Sequence, residues 1–218
     1  MKKGYIFTFV GIAVVLVVSV FAFFSNNNPQ TDSDNINTAR LATNQNINNE
    51  NKIDENIKKE STKKEPTEQE LSSFSTTILD QASGRLNNIR ITCDRLNGTI
   101  VSNGETFSFC NTLGPSTEEK GYQKAKVIAH GDVIQALGGG NCQVASTLYN
   151  AVLEGTGLEV VERHEHGKDV GYVPEGKDAT VSYESLDFKF KNSTGNDVKM
   201  YLSTDDQSIT VRLVQLNY

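Results

Sequence analysis

The longest run of hydrophobic positions lies near the start of the 218-residue chain. Residues 5–24 carry no charged side chain and follow Lys2 and Lys3. A helix of this length spans about 30 Å, the thickness of the hydrocarbon core of a bilayer, and it pairs its backbone groups internally. The lysines favour a cytoplasmic N-terminus. A cleaved signal peptide is the alternative, although Ala22-Phe23-Phe24-Ser25 is a poor cleavage site. We therefore predict a single-pass signal-anchor over residues 1–25, held in the cytoplasmic membrane through residues 5–24, with everything after it extracytoplasmic.

Large apolar side chains become rare over residues 26–70. Asparagine is abundant at residues 26–28 and 44–51, and lysine and glutamate dominate residues 58–70. Such a stretch buries too little surface to offset the entropy lost when its backbone is ordered. We expect a disordered tether here, with a short helix near Pro66 as an option. Residues 71–218 are long enough to form one domain with its own core.

The first half of this domain shows helical spacing. Phe74, Ile78, Ala82 and Leu86 recur every four residues, which predicts a helix over residues 74–88. Three shorter predicted segments follow. Residues 89–97 form an apolar helix or strand, and residues 106–109 form the end of a strand. Residues 126–134 form a strand pair that folds at His130-Gly131-Asp132.

The second half begins with the clearest helix and then changes to strands. The helix starts at Asn141 or Cys142 and runs to about Glu154, where glycines stop it. Its apolar face comprises Val144, Leu148, Ala151 and Val152. Strands are predicted at residues 158–166, 179–183, 186–192, 198–203 and 208–216. Turn residues join the last three strands and suggest an antiparallel meander. Early helices and late strands indicate an α+β fold with a mainly antiparallel sheet toward the C-terminus.

The charge balance argues against one class of partner. The chain has 21 Lys and Arg against 27 Asp and Glu, a net charge of −6, and no basic stripe interleaved with aromatic residues. Together with the expected extracytoplasmic location, this argues against nucleic-acid binding.

The domain contains three cysteines, Cys93, Cys110 and Cys142. A disulfide can persist outside the cytoplasm, and an odd number leaves at least one thiol unpaired. The spacing allows a Cys93–Cys110 bond, which would leave Cys142 free. Two small buried thiols at Cys93 and Cys110 fit the sequence equally well.

Cys142 lies at a position that is typical of a reactive thiol. It follows Gly138-Gly139-Gly140-Asn141, and glycines permit positive φ angles and close backbone approach. It also opens a helix, whose free N–H groups favour a thiolate and can hold an oxyanion. The plainer interpretation is a tight glycine turn with a small buried cysteine.

Two histidines follow on the predicted strand over residues 158–166. Its two-residue period places Leu158, Val160, Glu162, His164 and His166 on one face. If that face packs against the preceding helix, both imidazoles project toward the start of that helix, as a nucleophile and its base require. Asp178 and Asp187 are the candidates for orienting the imidazole.

The motifs around these residues resemble the VanW family. The first group comprises Phe107-Ser108-Phe109, Leu113-Gly114-Pro115-Ser116-Thr117, Gly121-Tyr122 and Gly138-Gly139-Gly140-Asn141-Cys142-Gln143-Val144-Ala145-Ser146-Thr147-Leu148-Tyr149-Asn150-Ala151. The second comprises Glu162-Arg163-His164, Tyr172-Val173-Pro174, Gly176-Lys177-Asp178-Ala179-Thr180-Val181 and Asp187-Phe188-Lys189-Phe190-Lys191-Asn192. The similarity covers most of residues 74–202.

This resemblance implies a cell-surface protein of a Gram-positive bacterium, connected with glycopeptide-resistance gene clusters and with peptidoglycan. The chain departs from the family pattern at Cys110, where the family commonly has Asn, and at Gly167 and Glu184. A Cys93–Cys110 disulfide would therefore be particular to this chain. The order of cysteine, histidine and aspartate also resembles transglutaminase-like and papain-like enzymes, in arrangement alone.

The first functional hypothesis is a cysteine-dependent acyltransferase or hydrolase acting on peptidoglycan peptide. Cys142 would be the nucleophile, His164 the base with His166 as second choice, and Asp178 or Asp187 the orienting group. The substrate-binding candidates flank the nucleophile: Gly139, Gly140, Asn141, Gln143, Ser146 and Thr147.

Two other hypotheses give Cys142 a different role. A non-catalytic module that binds peptidoglycan or a cell-wall protein predicts a buried, unreactive Cys142. A metal site shared by Cys142, His164 and His166 lacks characteristic ligand spacing. We accordingly predict neither a metal nor another cofactor.

Overall fold

The computed structural model describes residues 65–129 and 132–218. The predicted signal-anchor and most of the predicted tether lie outside the described residues, as do His130 and Gly131 of the predicted hairpin turn. Within the described part, no helix combines the length and apolarity that crossing a membrane requires.

Three antiparallel sheets and three α-helices make up this part of the chain, which confirms the α+β class. In chain order the elements are β1 (Thr67–Thr77), α1 (Ser83–Leu96), β2 (Ile100–Val101), β3 (Thr106–Ser108), α2 (Phe109–Leu113), a 3-10 turn (Glu118–Lys120), β4 (Lys124–Ala129), β5 (Asp132–Leu137), α3 (Asn141–Glu154), β6 (Leu158–Glu162), β7 (Lys189–Asn192), β8 (Val198–Thr204) and β9 (Ser208–Asn217). The sheets have the strand orders β1-β9-β8-β2, β3-β7-β6 and β4-β5.

Helix α3 lies at the centre of the core. All its residues from Gln143 to Val152 are buried, and it contacts α1, β1, β6 and β9. The predicted helix over residues 141–154 and its apolar face are therefore confirmed. The helix ends where the N–H of Gly155 bonds back to the carbonyls of Ala151 and Val152.

The helix predicted over residues 74–88 is wrong in its first part. Residues 67–77 form β1, which pairs with β9 along its whole length, and α1 begins only at Ser83. A four-residue spacing is also a multiple of the two-residue period of a strand, and Ser72, Thr76 and Ile78 all point into the core. The segment at residues 89–97 continues α1. Strand β1 starts ahead of the predicted domain start at Leu71, and a strand, not a helix, follows Pro66.

The predicted run of late strands needs three corrections. Strand β6 ends at Glu162 after a bulge, and residues 179–183 form only a single bridge, from Ser182 to Leu186. The hairpin of β8 and β9 is confirmed, but β7 belongs to the second sheet. There β7 pairs with β3 and β6, and Phe190 packs on Phe107 of β3 at 5.2 Å between ring centroids.

The hairpin predicted over residues 126–134 is confirmed and longer than expected, with Lys124 paired to Leu137. Cys93 and Cys110 are both buried and free, and Cys142 is free and partly exposed. The structure therefore contains no Cys93–Cys110 disulfide.

Candidate active site

The glycine turn before α3 places Cys142 at the start of that helix. Gly140 has a φ angle of +118°, and a Cβ there would lie 2.8 Å from Cγ1 of Ile89. A Cβ on Gly139 would lie 2.7 Å from the carbonyl oxygen of Lys126 in β4. The turn is thus pressed between α1 and the hairpin, at positions that only glycine fits.

Residues 180 and 181 surround the sulfur of Cys142. Its Sγ lies 3.5 Å from both the backbone nitrogen and the carbonyl oxygen of Val181, and 3.6 Å from Oγ1 of Thr180. Cys142 is the second residue of α3, so its backbone N–H is one of the first-turn donors that have no intrahelical acceptor. A free donor beside a nucleophile is the arrangement that stabilises an oxyanion.

His166 and Asp178 form a series with the thiol of Cys142. Cys142 and His166 line the same pocket and shift each other's pKa, and Nδ1 of His166 lies 2.5 Å from Oδ2 of Asp178. The same carboxylate oxygen accepts the backbone N–H of His166 at 2.7 Å. Arg163 holds the other side of Asp178, donating to its Oδ1 at 2.9 Å and to its carbonyl oxygen at 2.6 Å.

The electrostatics of this series favour a charged thiol and a charged imidazole. Burial raises the pKa of Cys142, but the hydrogen bond to His166 and the N–H of Val181 outweigh it, so the thiol pKa is lowered. Burial also disfavours the imidazolium, yet Cys142 and then Asp178 raise the pKa of His166 above its ordinary value. Burial raises the pKa of Asp178, but its hydrogen bonds to His166 lower that pKa by a larger amount. The carboxylate therefore stays ionised.

The structure places His164 and Asp187 in a different cluster. The strand that was expected to carry both histidines ends at Glu162, so their alternation is lost. Nε2 of His164 bonds to Glu162 at 2.9 Å, and 37% of its side chain is exposed. Asp187 accepts bonds from Ser108 and from the backbone N–H groups of Cys110 and Phe188. Of the candidate pairs, the structure therefore brings His166 and Asp178 to Cys142.

The other predicted site residues form the support of the cysteine. Asn141 bonds to Thr92 and Ser116. Ser146 is fully buried and accepts the backbone N–H of Ala179 while donating to the carbonyl of Cys142. Thr147 is also buried and bonds to Thr76. These contacts fix the start of α3 against its neighbours.

Cys142 and His166 open into a pocket of about 230 Å³. We call it the Cys142 pocket. The hairpin, the segments around Leu79 and Tyr172, and the start of α3 supply its lining, which includes Leu79, Asp80, Arg85, Lys126, Val127, Ile128, Val133, Gly138, Gly140, Gln143, Val170 and Tyr172. Most of these side chains are apolar, as is usual for a ligand site.

Sequence reasoning missed several residues of this site. Arg163, Tyr172, Thr180 and Val181 all lie in motifs that the family resemblance had marked, which was the available signal. Arg85 lies outside those motifs, and nothing in its spacing pointed to the site. No group of three or more metal-ligating side chains is gathered anywhere in the described residues.

Comparison with known proteins identifies the family. The family model described as "VanW like protein" matches residues 84–214, which include Cys142, His166 and Asp178. "Uncharacterized protein YoaR" of Bacillus subtilis (strain 168) is 41% identical over 123 residues, which cover 56% of this chain and 40% of that protein. "Vancomycin B-type resistance protein VanW" of Enterococcus faecalis (strain ATCC 700802 / V583) is 30% identical over 129 residues, or 56% of this chain and 46% of that protein.

The chain thus spans less than half the length of these two relatives. No solved structure shows significant similarity to it. Because the family model matches more than half of the chain, the chain belongs to the VanW-like family.

Proposed function

We propose that this domain is a cysteine-dependent acyltransferase or hydrolase that acts on peptides of the cell wall. Cys142 is the nucleophile, His166 the general base and acid, and Asp178 the group that orients and charges the imidazole. The observation that carries the proposal is the series in which the thiol of Cys142 is electrostatically coupled to His166 and His166 is hydrogen-bonded to Asp178.

The groups present suffice for two half-reactions. The thiolate of Cys142 attacks the carbonyl carbon of a peptide bond, and the backbone N–H of Cys142 stabilises the oxyanion. The imidazolium of His166 then gives its proton to the departing amine, which leaves a thioester on Cys142. In the second half-reaction His166 accepts a proton from water or from an acceptor amine, which attacks the thioester and releases the thiolate.

Location and family support the cell wall as the source of the substrate. The predicted signal-anchor would hold the domain outside the cytoplasm, within reach of peptidoglycan. The name of the Enterococcus faecalis relative refers to vancomycin resistance, and vancomycin resistance concerns the cell wall. A pocket with apolar walls and charged groups is compatible with a peptide.

The non-catalytic alternative predicts a different environment and a different pKa for Cys142. A purely structural Cys142 would be buried and would have a raised pKa, as Cys93 has. Cys142 is instead partly exposed, with a lowered pKa. These two properties favour the enzyme over a binding module.

Trapping the thioester tests the proposal. The full chain, purified in detergent, is incubated with soluble peptidoglycan fragments, quenched in acid and analysed by mass spectrometry. We expect an acyl adduct on the peptide that contains Cys142, together with shortened or cross-linked fragments. Cys142→Ala should give neither product, whereas Cys93→Ala should give both. Unmodified Cys142 and unchanged fragments in the wild type would contradict the proposal.

A genetic test addresses the same proposal in the cell. In a deletion strain, the wild-type gene and its Cys93→Ala variant should restore the cell-wall phenotype, and Cys142→Ala should not. Full complementation by Cys142→Ala would rule out a catalytic thiol.

A further inference from the structure

Arg85 brings an unbalanced positive charge to the Cys142 pocket. Apart from the thiolate of Cys142 and the imidazolium of His166, whose charges cancel, the other charged side chains of the lining are Asp80 and Lys126. These two lie 3.7 Å apart, so they offset each other. None of the ion pairs among the described residues includes Arg85.

The guanidinium of Arg85 is fixed in the wall of the pocket that contains Cys142. Its Nη2 donates to Oε1 of Gln143 at 2.8 Å, and Gln143 is the residue after Cys142. Gln143 is fully buried and is held in turn by Thr76 and by the carbonyl of Thr77. The partner of Arg85 is therefore a neutral amide on a rigid support, which positions the cation without cancelling its charge.

The hydrogen-bond capacity of Arg85 is also incomplete. Its Nε is enclosed and has no partner in the described part of the structure. A buried donor without a partner is costly, and such groups in native proteins usually have a functional reason. A guanidinium presents a planar fork of N–H donors that matches a carboxylate, which favours an anionic ligand at this position.

We propose that Arg85 makes the Cys142 pocket selective for substrates that carry a carboxylate close to the reacting carbonyl. This inference rests on the proposed function for its biological meaning, because it assigns a substrate class to the same site. Peptides with a free α-carboxylate, or with an acidic side chain next to the scissile bond, belong to this class. Arg85 acts as a specificity-determining residue that binds the carboxylate, while Cys142 and His166 carry the chemistry.

Two alkylating reagents of similar size test this selectivity on the full chain. Iodoacetate carries a carboxylate next to its reacting carbon, and iodoacetamide carries a neutral amide there. Both rate constants are proportional to the fraction of Cys142 that is ionised, so this fraction cancels in their ratio. We expect Arg85→Gln to lower the iodoacetate-to-iodoacetamide ratio by about fivefold or more, since one close charge at low effective dielectric is lost. Arg85→Lys should retain most of the ratio.

Arg90→Gln is the matched control, because Arg90 lies on the same helix and is paired with Asp206 at the surface. It should leave the ratio within about twofold of wild type, as expected for a screened surface charge. An unchanged ratio in Arg85→Gln would overturn the inference. That result would leave the proposed function standing, because thioester formation is measured separately.

A measurement on the wild type covers the case in which Arg85→Gln does not fold. Titration with acetate should shift the Nε–Hε NMR signal of Arg85, and titration with acetamide should not. Equal responses to the two compounds, or no response to either, would also overturn the inference.

Discussion

Nδ1 of His166 lies 2.5 Å from Oδ2 of Asp178, and only 3% and 8% of the two side chains are exposed. Asp178 is held as an anion by Arg163 and by the backbone N–H of His166. The imidazole therefore donates its Nδ1 proton to Asp178, which leaves Nε2 for the thiol of Cys142. One buried carboxylate thus fixes both the orientation and the charge of the base.

The two histidines should respond differently to substitution. His166→Gln removes the group that most lowers the pKa of Cys142, so we expect alkylation of Cys142 by iodoacetamide at pH 7 to slow by about tenfold or more. His164→Gln removes only a half-exposed partner of Glu162, so the rate should stay within about twofold of wild type. The reverse order would show that the sequence-based preference for His164 was right.

The two aspartates should separate thiol activation from stability. Asp178→Asn leaves His166 without its anion and Arg163 with only the exposed Glu165, and we expect a loss of about 3 kcal/mol in the free energy of unfolding and slower alkylation of Cys142. Asp187→Asn weakens bonds from Ser108 and the backbone of Cys110, with a loss of about 1–3 kcal/mol. Its effect on alkylation should be small. Urea unfolding and rate measurements on both variants distinguish the two roles, and slower alkylation in Asp187→Asn alone would contradict this assignment.

Acid should destabilise the domain partly through Asp178. The pKa of this carboxyl is lowered in the folded state, so the unfolded chain takes up the proton first as the pH falls. The stabilisation by ionised Asp178 is complete above the unfolded pKa of about 3.9 and is lost as the pH falls through the folded pKa. The side-chain bonds to Lys189 and His164 lower the pKa of Glu162 to about 2, which adds an effect of the same sign.

Urea unfolding between pH 5 and pH 2 measures this dependence. We expect Asp178→Asn to be less stable than wild type at pH 5 and to lose less stability on acidification. Equal losses in the two proteins would mean that Asp178 is not a stabilising anion in the folded state.

Two glycines with positive φ angles offer a test of the turn before Cys142. Gly140→Ala combines an unfavourable φ of +118° with a contact of 2.8 Å to Ile89, and we expect it to cost about 2–4 kcal/mol. Gly167→Ala has a φ of +70° and open space around its Cβ, so about 1–2 kcal/mol is expected from the backbone alone. Thermal unfolding of the two variants should differ accordingly. Equal losses of stability in the two variants would mean that the side chain of Ile89 moves away from the new Cβ without an energetic penalty.

The sequence was most informative where local pattern and tertiary contacts agree. Helix α3 combines a glycine turn, an apolar face and a glycine stop, and the β8–β9 hairpin has turn residues between alternating strands. Strand β1 was missed because its pairing with β9, more than a hundred residues away, decides its conformation. Its apolar spacing fits a helix as well as a strand.

The residues of the candidate site could be named from the sequence, but which histidine and which aspartate pair with Cys142 could not. Cys142, His166 and Asp178 were all named from the sequence, whereas His164 was preferred as the base because both histidines were expected on a regular strand. The bulge in β6 and the irregular segment after Glu162 redirect the two side chains, and no local pattern encodes that change. Arg85 was missed because its role depends on the packing of α1 beside the start of α3.

The pH dependence of Cys142 alkylation tests the central claim most directly. Cys93 and Cys110 are buried, and burial raises the pKa of each to about 12, so Cys142 is the thiol that reacts with iodoacetamide in the folded domain. We predict an apparent pKa for Cys142 well below the ordinary value of about 8.5, moving back to that value or above it in His166→Gln. An apparent pKa at or above 8.5 in the wild type, unchanged by His166→Gln, would contradict the account.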